Sequence, residues 1–168
     1  MTVSTMLSLL SEGFVTSLLI FALTLLFSMP LGLAVMFGRR SRLTPLRGFI
    51  KAYISIMRGT PLMLQLMVVY FGPYYLFGMQ IGGTYRFTAI ILGFALNYAA
   101  YFAEIYRSGI ESMPVGQYEA ARVLGYSKAQ CFCCIIFPQV VKRILPSITN
   151  EVITLVKDTS LSFSLAYA

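Results

Sequence analysis

Residues 119–138 read EAARVLGYSKAQCFCCIIFP, and the organisation of the chain follows from how this stretch starts and stops. Pro114 and Gly116 break the helix before it, since proline lacks an N–H and glycine gives up the most backbone freedom on ordering. Residues 117–124 then suit a short helix, roughly 12 Å long at 1.5 Å per residue. Glu119 falls near its positive N-terminal end. Gly125 can take the left-handed position that closes it, and Ser127 can cap the next helix. Ala120 and Ala121 carry almost no side chain, so another surface can come close. Two readings stand: a docking helix, or an ordinary helix at a membrane surface with no partner.

Outward from this stretch the chain is apolar. Its 168 residues are 58% hydrophobic and 11% charged, where a soluble domain carries about 25% charged residues. Its surface is therefore solvated by lipid or by other membrane helices. The net charge of +7 does not indicate nucleic acid, because of where the cations sit. Arg39, Arg40, Arg42, Arg47, Lys51 and Arg58 form one cluster, and Arg107, Arg122, Lys128, Lys142 and Arg143 form another. Both lie between apolar segments, as cytoplasmic loops do under the positive-inside rule.

Four apolar segments alternate with those clusters. Residues 13–38 carry no charge and exceed the roughly 20 needed to span a bilayer core. Pro30 and Gly32 lie inside this segment, where neighbouring helices can accommodate them. No basic region precedes it and it is too long for a signal sequence, so it reads as a retained anchor with the N-terminus outside. Residues 59–85 form a second segment, whose helix should end between Tyr70 and Phe77 because Gly72-Pro73 and Gly82-Gly83 follow. Residues 87–106 return inward, and residues 144–168 run out again. The expected fold is all-α: a multi-pass helical bundle with four membrane helices and both termini outside.

The fourth segment contains Glu151, Lys157 and Asp158. Charges at membrane depth cost about 2.5–3.5 kcal/mol each on insertion scales and usually face a bundle interior or wet cavity. On a helix, Ser147, Glu151, Thr154, Asp158 and Ser162 fall on one stripe, at steps of four, three, four and four. Lys157 points about 100° away from Asp158 and must pair elsewhere or reach an interface. The stripe lines a solute path or forms a polar packing seam; its spacing alone leaves both open. The third segment has a weaker stripe of Asn97, Tyr101, Glu104 and Ser108. Glu104 is placed to pair with Arg107 at i+3, while Asn97 and Gln65 are deep enough for hydrogen bonds between helices. Tyr70, Tyr74, Tyr75, Tyr98 and Tyr101 read as interface anchors or packing.

Several chemistries are absent. The chain has no histidine and no G-x-x-x-x-G-K-[ST] stretch, so it carries neither His-based catalysis nor a P-loop for ATP. Cys131, Cys133 and Cys134 lack paired C-x-x-C spacing. No metal or cofactor is expected.

The quoted stretch resembles the "EAA" loop of ABC-transporter permeases: E-A-A, three residues, G, nine residues, I, one residue, L-P. Here the pattern is carried by Glu119, Ala120, Ala121, Gly125, Ile135 and Phe137-Pro138, with Phe137 where that family has Leu. Further motifs resemble the permeases of polar amino-acid importers. Arg58-Gly59-Thr60-Pro61-Leu62 with Gln65-Leu66 is similar to R-G-T-P-L-x-x-Q-L. Ala100-Tyr101-Phe102-Ala103-Glu104-Ile105 with Arg107-Ser108-Gly109-Ile110 is similar to A-Y-x-A-E-I-x-R-G-G-I. Asn150 and Lys157-Asp158-Thr159-Ser160-Leu161 are similar to N…K-D-T-S-L.

The resemblance implies a permease domain over residues 1–168 in a bacterial inner membrane, in contact with lipid. It implies a coupling loop at about 107–143, with Glu119, Ala120, Ala121 and Gly125 meeting a separate ATPase dimer. It also implies a second permease copy, an extracytoplasmic solute-binding protein, and an amino-acid substrate passing Asn97, Glu151, Thr154 and Asp158. It predicts a fifth membrane helix after residue 161, which reads as a C-terminal truncation. The subunit itself is then not an enzyme. The alternative is a secondary transporter or channel that uses the same intramembrane charges without an ATPase.

Overall fold

A computed structural model describes residues 3–78 and 82–162, and among them there is no strand. The helices are α1 (Val3–Arg39), α2 (Thr44–Gly59), α3 (Leu62–Phe77), α4 (Gly83–Glu111), α5 (Val115–Val123) and α6 (Lys128–Gln130). A π-helical segment, Cys131–Ile136, then feeds directly into α7 (Phe137–Asp158).

Among the described residues three stretches are long and apolar enough to cross a bilayer: Val3–Arg39, Tyr85–Glu111 and Lys128–Asp158. The remaining expected crossing is a broken one, α2 and α3 bent by 113°. Pro61 causes the break. It pushes the residue before it out of the helical region, and Thr60 is extended at φ −119°, ψ 148°. The 16 residues of α3 reach about 24 Å, short of a hydrocarbon core of about 30 Å. α3 ends at Phe77, inside the expected window, and Gly78 closes it at φ 64°. The expected outer connection falls largely on residues 79–81, outside the described residues, as do residues 163–168 of the fourth segment.

The basic stretch after α1, expected as a loop, is mostly the helix α2. Pro45 sits in its first turn, where a missing N–H costs nothing. Ile50, Tyr53, Ile54 and Met57 recur at helical spacing and pack into the core, leaving Arg47, Lys51 and Arg58 exposed.

That core is built around α4, whose Phe94, Ala99, Ala100 and Phe102 are fully buried. α1 lies along α4 with Thr24, Ser28 and Gly32 all buried. A Cβ on Gly32 would fall 2.8 Å from the Phe102 Cβ and 3.2 Å from the Ala99 carbonyl oxygen, so only glycine permits the approach. Apolar burial does not drive helices together inside lipid, and close packing of small residues takes its place.

Candidate functional site: a carboxylate-lined cavity and an exposed short helix

The break between α2 and α3 leaves backbone carbonyls without helical partners, and two amides take them up. Gln65 Nε2 donates to the carbonyl of Met57 at 2.9 Å and to Thr60 Oγ1 at 2.8 Å. Asn97 Nδ2 on α4 donates to Gln65 Oε1 at 2.8 Å and to Met57 O at 3.1 Å. Asn97 and Gln65 thus fasten the break to α4, and Asn97 makes the interhelical hydrogen bonds its depth suggests.

Beside this clamp lies a cavity of about 160 Å³. Thr60 and Leu62 come from the break, Asn97, Tyr98 and Tyr101 from α4, and Glu151, Thr154 and Asp158 from α7. The structure therefore brings Asn97, Glu151, Thr154 and Asp158 together, although Asn97 and Glu151 are far apart in the chain. The ends of the stripe behave differently: Ser147 is exposed and Ser162 is buried at 4%. Lys157 faces outward and does not line the cavity. Tyr98 is not an interface anchor, because it is 2% exposed and its hydroxyl donates to Asp158 Oδ2 at 2.7 Å. Thr60 gave no signal as a wall residue, since only the tertiary position of the break brings it there.

Next to the cavity is a wider chamber of about 490 Å³, lined by Arg39, Lys51, Arg58, Tyr101 and Glu104 among others. Tyr101 borders both spaces, and the Arg58 guanidinium sits 5.3 Å from its ring centroid, within cation–π range. Glu104 pairs with Arg107 at 2.7 Å, as its spacing predicts, and also with Arg39. Arg58 stands 3.9 Å from it. One carboxylate thus gathers cations from α1, α2 and α4 at the end of the bundle that leads into α5.

α5 begins two residues earlier than expected, so Glu119 is its fifth residue and lies beyond the first turn, which holds no acid. The helix-end field falls off within that turn, and the expected N-terminal role of Glu119 is withdrawn. Ala121 is 1% exposed and packs inward against Cys131, Ile136 and Val140, whereas Glu119 and Ala120 are exposed. Gly125 is left-handed at φ 77°. Its N–H donates to Arg122 O and that of Tyr126 to Ala121 O, both at 3.0 Å, the paired closure of a Schellman end. Ser127 then caps α6 in a reciprocal box with Gln130. Outside this rigid frame, Val115, Val123 and Leu124 are 69%, 88% and 73% exposed, an apolar surface that spacing alone did not single out.

The profile of the family described as binding-protein-dependent transport system inner membrane component matches residues 28–166. The chain is 39% identical over 150 residues to the arginine transport system permease protein ArtQ of Bacillus subtilis (strain 168), spanning 89% of this chain and 67% of ArtQ. It is 37% identical over 150 residues to the putative glutamine transport system permease protein GlnP of Rickettsia bellii (strain RML369-C), with the same two coverages. It is 35% identical over 159 residues to the L-cystine transport system permease protein TcyB of Bacillus subtilis (strain 168), spanning 95% of this chain and 66% of TcyB. A crystal structure of an amino acid ABC transporter with histidines superposes with a TM-score of 0.83 at 34% identity, covering 99% of this chain and 78% of that one. An inward-facing structure of the MetNI methionine ABC transporter shares the fold, with a TM-score of 0.66 at 19% identity over 98% of this chain and 77% of that one.

Proposed function

Since the chain belongs to the family of binding-protein-dependent transport system inner membrane components, we propose that the cavity between the α2–α3 break, α4 and α7 is its path for a polar or basic amino acid, and that α5 receives the stroke of a separate ATPase. The chain is the permease subunit of an ATP-binding-cassette importer in the inner membrane, and ATP hydrolysis belongs to another subunit. Membership sets aside the secondary-transporter or channel alternative.

The observation that carries the path is the convergence of Asn97, Glu151, Thr154 and Asp158 on one cavity. Among the described residues two carboxylates line it and no cation does. They lie seven residues apart on α7, about 10 Å along the helix, a spacing that suits an ammonium and a second positive group on one small molecule. Low local dielectric strengthens that attraction. The relatives are named for arginine, glutamine and cystine; the carboxylates favour a basic side chain among these. Tyr101, shared with the wider chamber, is the partition the solute passes.

Support for α5 as the coupling element comes from its Schellman end and its exposed Val123, Leu124, Ala120 and Glu119. The proposed assembly holds an ATPase dimer, a second permease copy and an extracytoplasmic binding protein. Residues 1–168 act as one permease domain with the N-terminus outside, which puts 39–58 and the coupling loop at 107–143 in the cytoplasm. The test is ATP-dependent uptake of arginine, glutamine and cystine into vesicles holding the permease with its ATPase and binding protein. Uptake without ATP, or uptake indifferent to neutralising Glu151 and Asp158 together, overturns the reading.

A further inference from the structure

Where α1 leaves the bundle, a separate cavity of about 260 Å³ opens beside α5. Arg40, just past α1, Arg122 on α5 and Lys128 on α6 line it, with the rings of Tyr118 and Tyr126. Among the described residues none of these three cations is paired with a carboxylate; the ion pairs at this end all belong to Arg39, Arg58 and Arg107, on Glu104 and Glu111. Three like charges around one cavity repel each other unless an anion enters from outside. Ile110, Cys131 and Phe132 give the cavity an apolar side as well.

We propose that this cavity holds the phosphate of an anionic phospholipid from the adjacent leaflet. Arg40 directly follows a helix long and apolar enough to cross a bilayer. Phe37, three residues before it near the end of α1, is 66% exposed. A lipid whose acyl chain lies along Phe37 therefore brings its phosphate to Arg40, within reach of Arg122, Lys128 and the tyrosine hydroxyls. Basic pockets between membrane helices at a leaflet surface take anionic headgroups in this way. Free phosphate offers the same charge but makes no use of Phe37 or of the exposed rim residue Phe132. The site joins the end of α1 to α5 and α6, so an occupied pocket pins the short helix to the membrane-crossing bundle.

The test uses the permease–ATPase complex in nanodiscs of phosphatidylcholine with and without phosphatidylglycerol, with retained lipid counted by native mass spectrometry. The wild type is expected to keep phosphatidylglycerol in preference to phosphatidylcholine. Arg122→Gln with Lys128→Gln should weaken retention, roughly fivefold for each charge removed. Arg122→Lys with Lys128→Arg should preserve it, and Arg47→Gln, on α2 away from the cavity, should leave it unchanged. Equal retention of the two lipids, or a double neutralisation no different from Arg47→Gln, overturns the proposal. So does displacement of the lipid by inorganic phosphate, which makes the site one for a soluble anion. Loss of the ATPase from the double variant with lipid retention intact assigns the cations to protein docking and equally overturns it.

Discussion

The hydroxyl of Tyr98 on α4 donates to the carboxylate of Asp158 on α7 at 2.7 Å, joining two helices across 60 residues of sequence. Hydrogen bonds to charged groups contribute about 1.5–3 kcal/mol. Tyr98→Phe should therefore lower the melting temperature of the complex and slow uptake. In a double-mutant cycle with Asp158→Asn, the two losses should be smaller together than their sum. Strict additivity would show that the bond does not couple α4 to α7.

Neutralising the two acids one at a time should separate their roles. Glu151→Gln is expected to shift solute preference or apparent affinity, because Glu151 is half-buried at the cavity wall and has no hydrogen-bond or ion-pair partner among the described residues. Asp158→Asn should impair transport of every solute, because Asp158 also fixes Tyr98. Binding-protein affinity is measured separately. Wild-type rates and preferences in both variants would make the acids a packing seam.

Which parts were legible before the structure depends on the range of the interactions involved. The short helix, the left-handed Gly125 and the Ser127 cap rest on neighbours within a few residues, and all three were readable from EAARVLGYS. The central three residues of the α7 stripe were readable from helical spacing. Its two ends were not, because exposure of Ser147 and burial of Ser162 depend on what α7 packs against. Tyr98 and Thr60 stayed hidden for the same reason: an aromatic in an apolar segment and a threonine before proline carry no local sign of lining the cavity that holds Asp158. α2 looked like a loop because its arginines and lysine outweighed the Ile50, Tyr53, Ile54 and Met57 spacing.

Gly125 gives a test of coupling. A Cβ there meets nothing within 4 Å, and φ is 77°, so any defect arises from backbone strain or lost docking rather than collision. The left-handed region costs L-residues about 1–2 kcal/mol, with Asn better tolerated than most. Gly125→Asp should leave the permease inserted but weaken solute-stimulated ATP hydrolysis, and Gly125→Asn should weaken it less. Normal stimulation in Gly125→Asp removes α5 from the coupling route.

Gly32 tests the packing of α1 on α4. Gly32→Val places a branched side chain against Phe102 and the Ala99 carbonyl, and overpacking of this kind costs about 1–3 kcal/mol. The variant should melt lower in detergent, while Gly48→Ala, with nothing within 4 Å, should not. Equal melting temperatures would mean that α1 does not pack on α4 at Gly32.

Topology is checked by accessibility. With Cys131, Cys133 and Cys134 replaced by serine, cysteines introduced at Arg47 and Lys128 should react with a membrane-impermeant maleimide only in inside-out vesicles. Reaction in right-side-out cells would invert the orientation.

From Lys128 to Asp158 the helix is continuous, first through the π-helical segment and then through α7. Over 31 residues that is a rod of about 45 Å, with its foot just past the end of α5 and Asp158 at its tip. Such a rod is a lever: tilting its foot by about 5° moves the tip by about 4 Å, a displacement larger than a hydrogen bond, given the rise of 1.5 Å per residue. A shift of that size is enough to break the Tyr98 bond, so that bond ties the tip of the rod to α4 and resists tilting of its foot.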